Sequence, residues 1–113
     1  IGEWTPDHIQ DSEYRSIEMN VTGKISQNGV YELFFWHTGG SSRLDIESVE
    51  ILKNGKKIAK DNHFGYSGEN SSDNMYTFEI DDYETGAAFT MQAQVRGATG
   101  KDSNGQVFIR LTE

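Results

Sequence analysis

Apolar residues alternate with polar ones along almost the whole chain, and no window carries the three-to-four-residue period of a helix. In "SIEMNVT", Ile17, Met19 and Val21 fall on one side of a half-buried strand. In "VYELFFWHT", Tyr31, Leu33 and Phe35 share one face while Phe34 and Trp36 lie on the other, so this strand is apolar on both faces over its second half. "RLDIESVEILKNGKKIAKD" contains Asn54-Gly55, a pair that accepts positive φ and predicts a two-residue primed hairpin turn. A turn that tight places Ile51 opposite Ile58 and Leu52 opposite Lys57. The apolar set switches from even (Leu44, Ile46) to odd (Val49, Ile51), which predicts a β-bulge near Glu47 and Ser48. Three further strands follow. Their buried sets are Tyr76, Phe78 and Ile80; then Phe89, Met91, Ala93 and Val95; then Val107, Ile109 and Leu111. Strands of this length joined by Gly, Asn, Asp and Ser predict an all-β, antiparallel β-sandwich of about eight strands.

Length and charge narrow the functions open to such a fold. At 113 residues the chain makes a single domain, 1–113, with one core. Its 18 Asp and Glu against 10 Lys and Arg leave a net charge of -8. That charge repels phosphate backbones and anionic headgroups, so neither nucleic acid nor membrane is an expected partner. No cysteine is present, which excludes thiolate catalysis, disulfides and the common cysteine zinc sites. No apolar run reaches the roughly 18 residues of a membrane span, and a monomer is expected.

The motifs in combination resemble a known module. "GVYELFFWHTGG", the hairpin "LDIESVEILKNG", the loop "DNHFGYSG" and the late "DSNG", with "EWTP" near the start, are similar to the C-terminal β-sandwich of bacterial chitobiase/hexosaminidase-type glycoside hydrolases. The likeness runs from Trp4 to Leu111. It implies a jelly-roll, galactose-binding-like fold. It also implies an accessory domain excised from a larger exported glycosidase, the catalytic domain lying elsewhere in the parent and this module non-catalytic.

The residues themselves offer little catalytic chemistry. His8, His37 and His63 form no metal pair at helical spacing. Carboxylates are abundant, including Asp45 with Glu47 and Asp81 with Asp82, but nothing marks one pair as a glycosidase acid and base. "GYSGEN" lacks the spacing of a serine nucleophile elbow. Neither an enzyme nor a resident cofactor is expected. Calcium is the one metal the residue types admit, with Asp61, Asn62, Asp73, Asp102 and Asn104 as oxygen donors. In the alternative, Asp102-Ser103-Asn104-Gly105 is a turn bonded to its own backbone. The sequons at Asn20 and Asn70 are read as coincidence in a bacterial-type module.

Carbohydrate binding needs an exposed ring flanked by amide, carboxylate or hydroxyl groups. Trp36 supplies a candidate ring. Asp61, His63, Tyr66 and Glu69, in the long stretch "DNHFGYSGENSSDN", supply polar and aromatic partners for a chitooligosaccharide-like or host glycan. Two placements of Trp36 stand at this point, a core position facing the second sheet and an exposed stacking platform. Two roles also stand: a carbohydrate-binding module, and a structural module whose aromatic patch docks on the parent catalytic domain or a neighbouring domain and has no sugar affinity of its own. A docking patch is broad, apolar and contiguous, whereas a sugar site gathers polar groups around one ring.

Overall fold

The computed structural model describes residues 1–112. Two antiparallel sheets face each other. The first runs β1 (Gly2–Trp4), β10 (Asn104–Leu111), β3 (Gly29–Gly39) and β8 (Met75–Ile80). The second runs β2 (Arg15–Asn20), β9 (Phe89–Gly97), β4 (Leu44–Lys53), β6 (Gly65–Ser67) and β7 (Ser72–Asp73), and β5 (Lys56–Asp61) also pairs with β4. The expected antiparallel sandwich is present, with ten strands among the described residues where about eight were expected.

Alternation decides what is buried, because successive side chains in a strand point to opposite faces. Tyr31, Leu33, Phe35, Tyr76 and Phe78 from the first sheet meet Leu44, Ile46, Val49, Ile51 and Phe89 from the second in one core. Trp4 closes that core from β1, its ring 5.9 Å from Phe35 and its indole N–H donating to Ser103 Oγ at 2.9 Å. Val107 is buried as expected, but Ile109 and Leu111 are only half-buried toward the end of β10. Removing this much apolar surface from water, at roughly 25 cal/mol per Å², is the main force holding the two sheets together.

The bulge in β4 lies where the parity change placed it. The register against β9 shifts between Ile46 and Ser48, so both apolar sets reach the core. The hairpin turn also forms, with φ of 51° at Asn54 and 84° at Gly55. One pairing needs correction. Leu52 opposes Lys57, but Ile51 opposes Ala59, because a second register shift follows the turn. Ile58 is therefore only half-buried and is not the cross-strand partner of Ile51.

The long stretch "DNHFGYSGENSSDN" carries strands of its own. Asp61 ends β5, Asn62–Phe64 cross to the other half of β4, and β6 and β7 form a small hairpin on that edge. The inward positions of β6 are Gly65 and Ser67, so this strand carries no apolar alternation to reveal it.

Candidate functional site

Trp36 is on the outer face of β3, with the residue 60% exposed. The core placement of Trp36 is thereby overturned. Strand parity sends Tyr31, Leu33 and Phe35 inward, and Phe34 and Trp36 must then leave the sandwich. At this end of the molecule three connections converge: Gly40–Arg43 after β3, Gly68–Ser71 between β6 and β7, and Ala98–Thr99 after β9. They enclose a hollow of about 590 Å³ whose walls include His37, Arg43, Asp45, Glu69, Asn70 and Arg96. A smaller hollow of about 330 Å³ adjoins it, walled by Trp36, Glu69, Asn70, Ser72 and Asn74. His37 and the Gly68–Ser71 turn are common to both, so the two form one cleft with an indole ring at one end.

The loops around the cleft are fixed to one another. Asp102 Oδ2 accepts from both the N–H and the hydroxyl of Ser41 at 3.0 Å. These bonds hold its carboxyl below the usual carboxylate range, the Ser41 N–H contributing most. Ser42 N–H donates to Asp102 O at 2.8 Å, and Ala98 N–H donates to Arg43 O at 3.1 Å. His37 Nε2 is 3.2 Å from the carbonyl of Gly40, which can only accept, so this bond is donated by Nε2–H and leaves Nδ1 on the other side of the ring. That Nδ1 is buried and has no hydrogen-bond partner among the described residues.

The larger hollow is charged. Asp45 points outward from β4 yet is covered, with its side chain 4% exposed. Arg43 Nε donates to Oδ1 at 2.9 Å, and Arg96 Nε lies 3.4 Å from Oδ2. Each guanidinium also stacks on a ring, Arg43 on Tyr66 at 4.5 Å and Arg96 on Tyr14 at 4.6 Å. Burial raises the Tyr14 phenol above its ordinary value, Arg96 opposes that shift, and Asp45 and Glu47 add to it.

The five residues singled out for carbohydrate do not form one group. Trp36 and Glu69 share the smaller hollow. Tyr66 lies beneath Arg43 rather than on the wall, so it acts on the cleft through that guanidinium. Asp61 and His63 belong to a different cluster. His63 stacks on Tyr76 at 4.2 Å and contacts Asp61 Oδ1 at 2.7 Å, with Asp73 3.6 Å away. Asp61 Oδ2 also accepts from Thr77 N–H at 3.0 Å. Burial pushes the Asp61 carboxyl up, but the bonds from Thr77 and His63 together outweigh it and hold the group low. Gly65 completes this cluster, since a Cβ there would strike Asp73 O and the Tyr76 hydroxyl. Ser67 Oγ donates to Phe35 O at 2.7 Å across the two sheets.

The calcium donors fall in two places, Asp61, Asn62 and Asp73 near His63 and Asp102 with Asn104 beside the Ser41 loop. Asp61 and Asp102 each accept from protein donors in unconnected networks. Among the described residues no group of three or more His, Asp or Glu could hold a metal. Asp102 bonds across to Ser41 rather than within its own turn, so the local-turn alternative does not describe it either.

Sequence reasoning missed Arg43, Arg96 and Asn70 and did not connect Asp45 to them. Asp45 pairs with Arg96 across β4 and β9, a relation that only the register reveals. The one local signal is Arg43-x-Asp45, two charges on the same strand face beside the Gly-Gly-Ser-Ser loop. In comparisons with known proteins, the chain matches no family model and no curated protein.

Proposed function

We propose that this domain is a non-catalytic carbohydrate-binding module, an accessory to an exported chitobiase-type glycoside hydrolase. The observation that carries the reading is Trp36, exposed at the end of a cleft where Glu69, Asn70, Ser72 and Asn74 surround one ring. A sugar ring has an apolar C–H face and an equatorial belt of hydroxyls. An indole satisfies the first, and amide, carboxylate and hydroxyl groups satisfy the second. Loops already tied together lose little entropy when a ligand arrives. Tethering a catalytic domain to glycan in this way raises its effective substrate concentration without adding any chemistry.

The test is a titration with chitooligosaccharides and a panel of host-type glycans, followed by tryptophan fluorescence. Trp4 is buried and Trp36 exposed, so a ligand-dependent change reports chiefly on Trp36. Saturable quenching or a blue shift supports the reading. A flat response to every glycan at millimolar concentration overturns it.

A second reading, docking on the parent catalytic domain, is favoured by a specific feature. Phe108, Phe34 and Met75 lie side by side across β10, β3 and β8 on the outer face, and Trp36 follows Phe34 on that face. Arg110 covers part of the Phe34 ring at 5.0 Å. Phe108→Gln tests it, because Phe108 is outside the cleft. If docking is the role, this substitution weakens binding of the catalytic domain supplied in trans and leaves the glycan titration unchanged.

A further inference from the structure

We propose that the glycan received by this cleft is acidic, and that Arg43 reads a carboxylate on the sugar next to the one stacked on Trp36. The inference rests on the cleft being a sugar site and goes beyond it by naming the ligand's charge. Arg43 uses only Nε within the chain, donating it to Asp45; among the described residues its two Nη groups have no hydrogen-bond partner. The guanidinium is nonetheless held in place, by Asp45 along one edge and by the Tyr66 ring across one face. What remains is a fixed, planar pair of donors on the wall of the hollow. That fork matches the two oxygens of a carboxylate.

Within the cluster one covered carboxylate, Asp45, is shared between two guanidinium groups, so these three groups carry one net positive charge, which Glu69 on the wall of the same hollow offsets. Arg96 is less available than Arg43, since its Nη1 also approaches Ser12 O at 3.4 Å and its side chain is 32% exposed against 46%. Glu69 is exposed on the turn common to both hollows, where it offers an acceptor to the hydroxyls of a ring beside Trp36 and also lies on the wall of the larger hollow. The two arginines line the larger hollow and neither lines the smaller one beside the indole. In a chain of net charge -8, two of the four arginines line this one hollow. General attraction to anions cannot account for binding such a ligand, so recognition would have to be local.

The experiment compares oligosaccharides of equal length by calorimetry: neutral chitooligosaccharide, a uronate-containing oligosaccharide and its carboxyl-reduced form, and a sulfated neutral oligosaccharide. The uronate ligand is expected to bind about tenfold or more tightly than its reduced form, the size of a well-placed charge-assisted pair. Arg43→Gln should bring that ratio close to one. Arg43→Lys keeps the charge but loses the fork and the stacking, and should recover less than half of the lost preference on a logarithmic scale. Circular dichroism melts of both variants establish that the fold is intact. Should Arg43→Gln not fold, the parent chain's ratio of uronate to reduced ligand still decides. Equal binding of uronate and reduced ligands overturns the acidic-glycan inference while leaving the cleft as a sugar site. A preference for the sulfated ligand over the uronate overturns the carboxylate assignment. No binding in any arm overturns both.

Discussion

Asp45→Asn is the substitution that most directly probes how the charged wall is held. The carboxylate is covered, and its two oxygens receive Arg43 Nε and Arg96 Nε. An amide keeps the shape but offers one acceptor, and turns its NH₂ toward the other guanidinium. Hydrogen bonds to charged groups contribute about 1.5–3 kcal/mol each, and breaking a fully buried ion pair costs about 3–5 kcal/mol. Both arginines remain partly exposed and can regain water, so those figures must be reduced to a net loss of about 1–2 kcal/mol. For a domain of this size, each kcal/mol lowers Tm by about 4 °C. Asp45→Asn should therefore melt about 4–8 °C below the parent chain in a circular dichroism scan. Glu32→Gln, which removes the partner of the exposed Arg110, is the control and should shift Tm by less than about 2 °C. If the two variants melt together, Asp45 is not the anchor of the arginines, and the argument for a preorganised Arg43 fails with it.

Phe35 and Trp36 are adjacent but face opposite ways, so their truncations should differ sharply. Phe35→Ala should cost about 3–5 kcal/mol in urea unfolding, and Trp36→Ala no more than about 2 kcal/mol. Costs of equal size would mean that Trp36 is packed. Gly65→Ala should lower stability by about 1–3 kcal/mol, because the new Cβ meets backbone at Asp73 as well as the Tyr76 ring; an unchanged urea midpoint would show that this edge yields freely. The Asp61 carboxyl is held below its unfolded value, so its contribution is complete above about pH 5 and is lost as pH falls through the lower folded value. Asp61→Asn should accordingly flatten the fall in urea midpoint between about pH 5 and pH 3, and parallel curves for variant and parent would contradict the role given to Thr77 N–H and His63.

The sandwich was legible because its core strands alternate cleanly. Tyr31, Leu33 and Phe35, then Tyr76 and Phe78, then Phe89 to Val95 each declare a buried face, and the parity change at Glu47 declares the bulge. Ile58 misled because Ile58 and Ala59 are both apolar, so parity could not locate the register shift beyond the turn. The strands β6 and β7 were hidden because Gly65 and Ser67 occupy inward positions that in other strands hold large apolar residues. The cleft was the least legible part. Asp61, His63, Gly65 and Ser67 stand out as a motif, yet they tie one sheet edge to the other. Arg43, Asp45 and Arg96 stand in no motif, because they are brought together by the pairing of β4 with β9. Trp36 lay between these cases: its parity was readable, but which face of β3 met the second sheet was not.

The central claim, a sugar site at the Trp36 end of the cleft, is tested most directly by a ¹H–¹⁵N correlation spectrum recorded during glycan titration. The Trp36 indole N–H, the amides of Gly68 to Ser72 and the Asn70 side chain should shift together and saturate at one affinity. Trp36→Ala should abolish that common saturation while the remaining dispersion of the spectrum persists. An unchanged spectrum throughout the titration, or shifts confined to Phe34, Met75 and Phe108 on the outer face, would contradict the account.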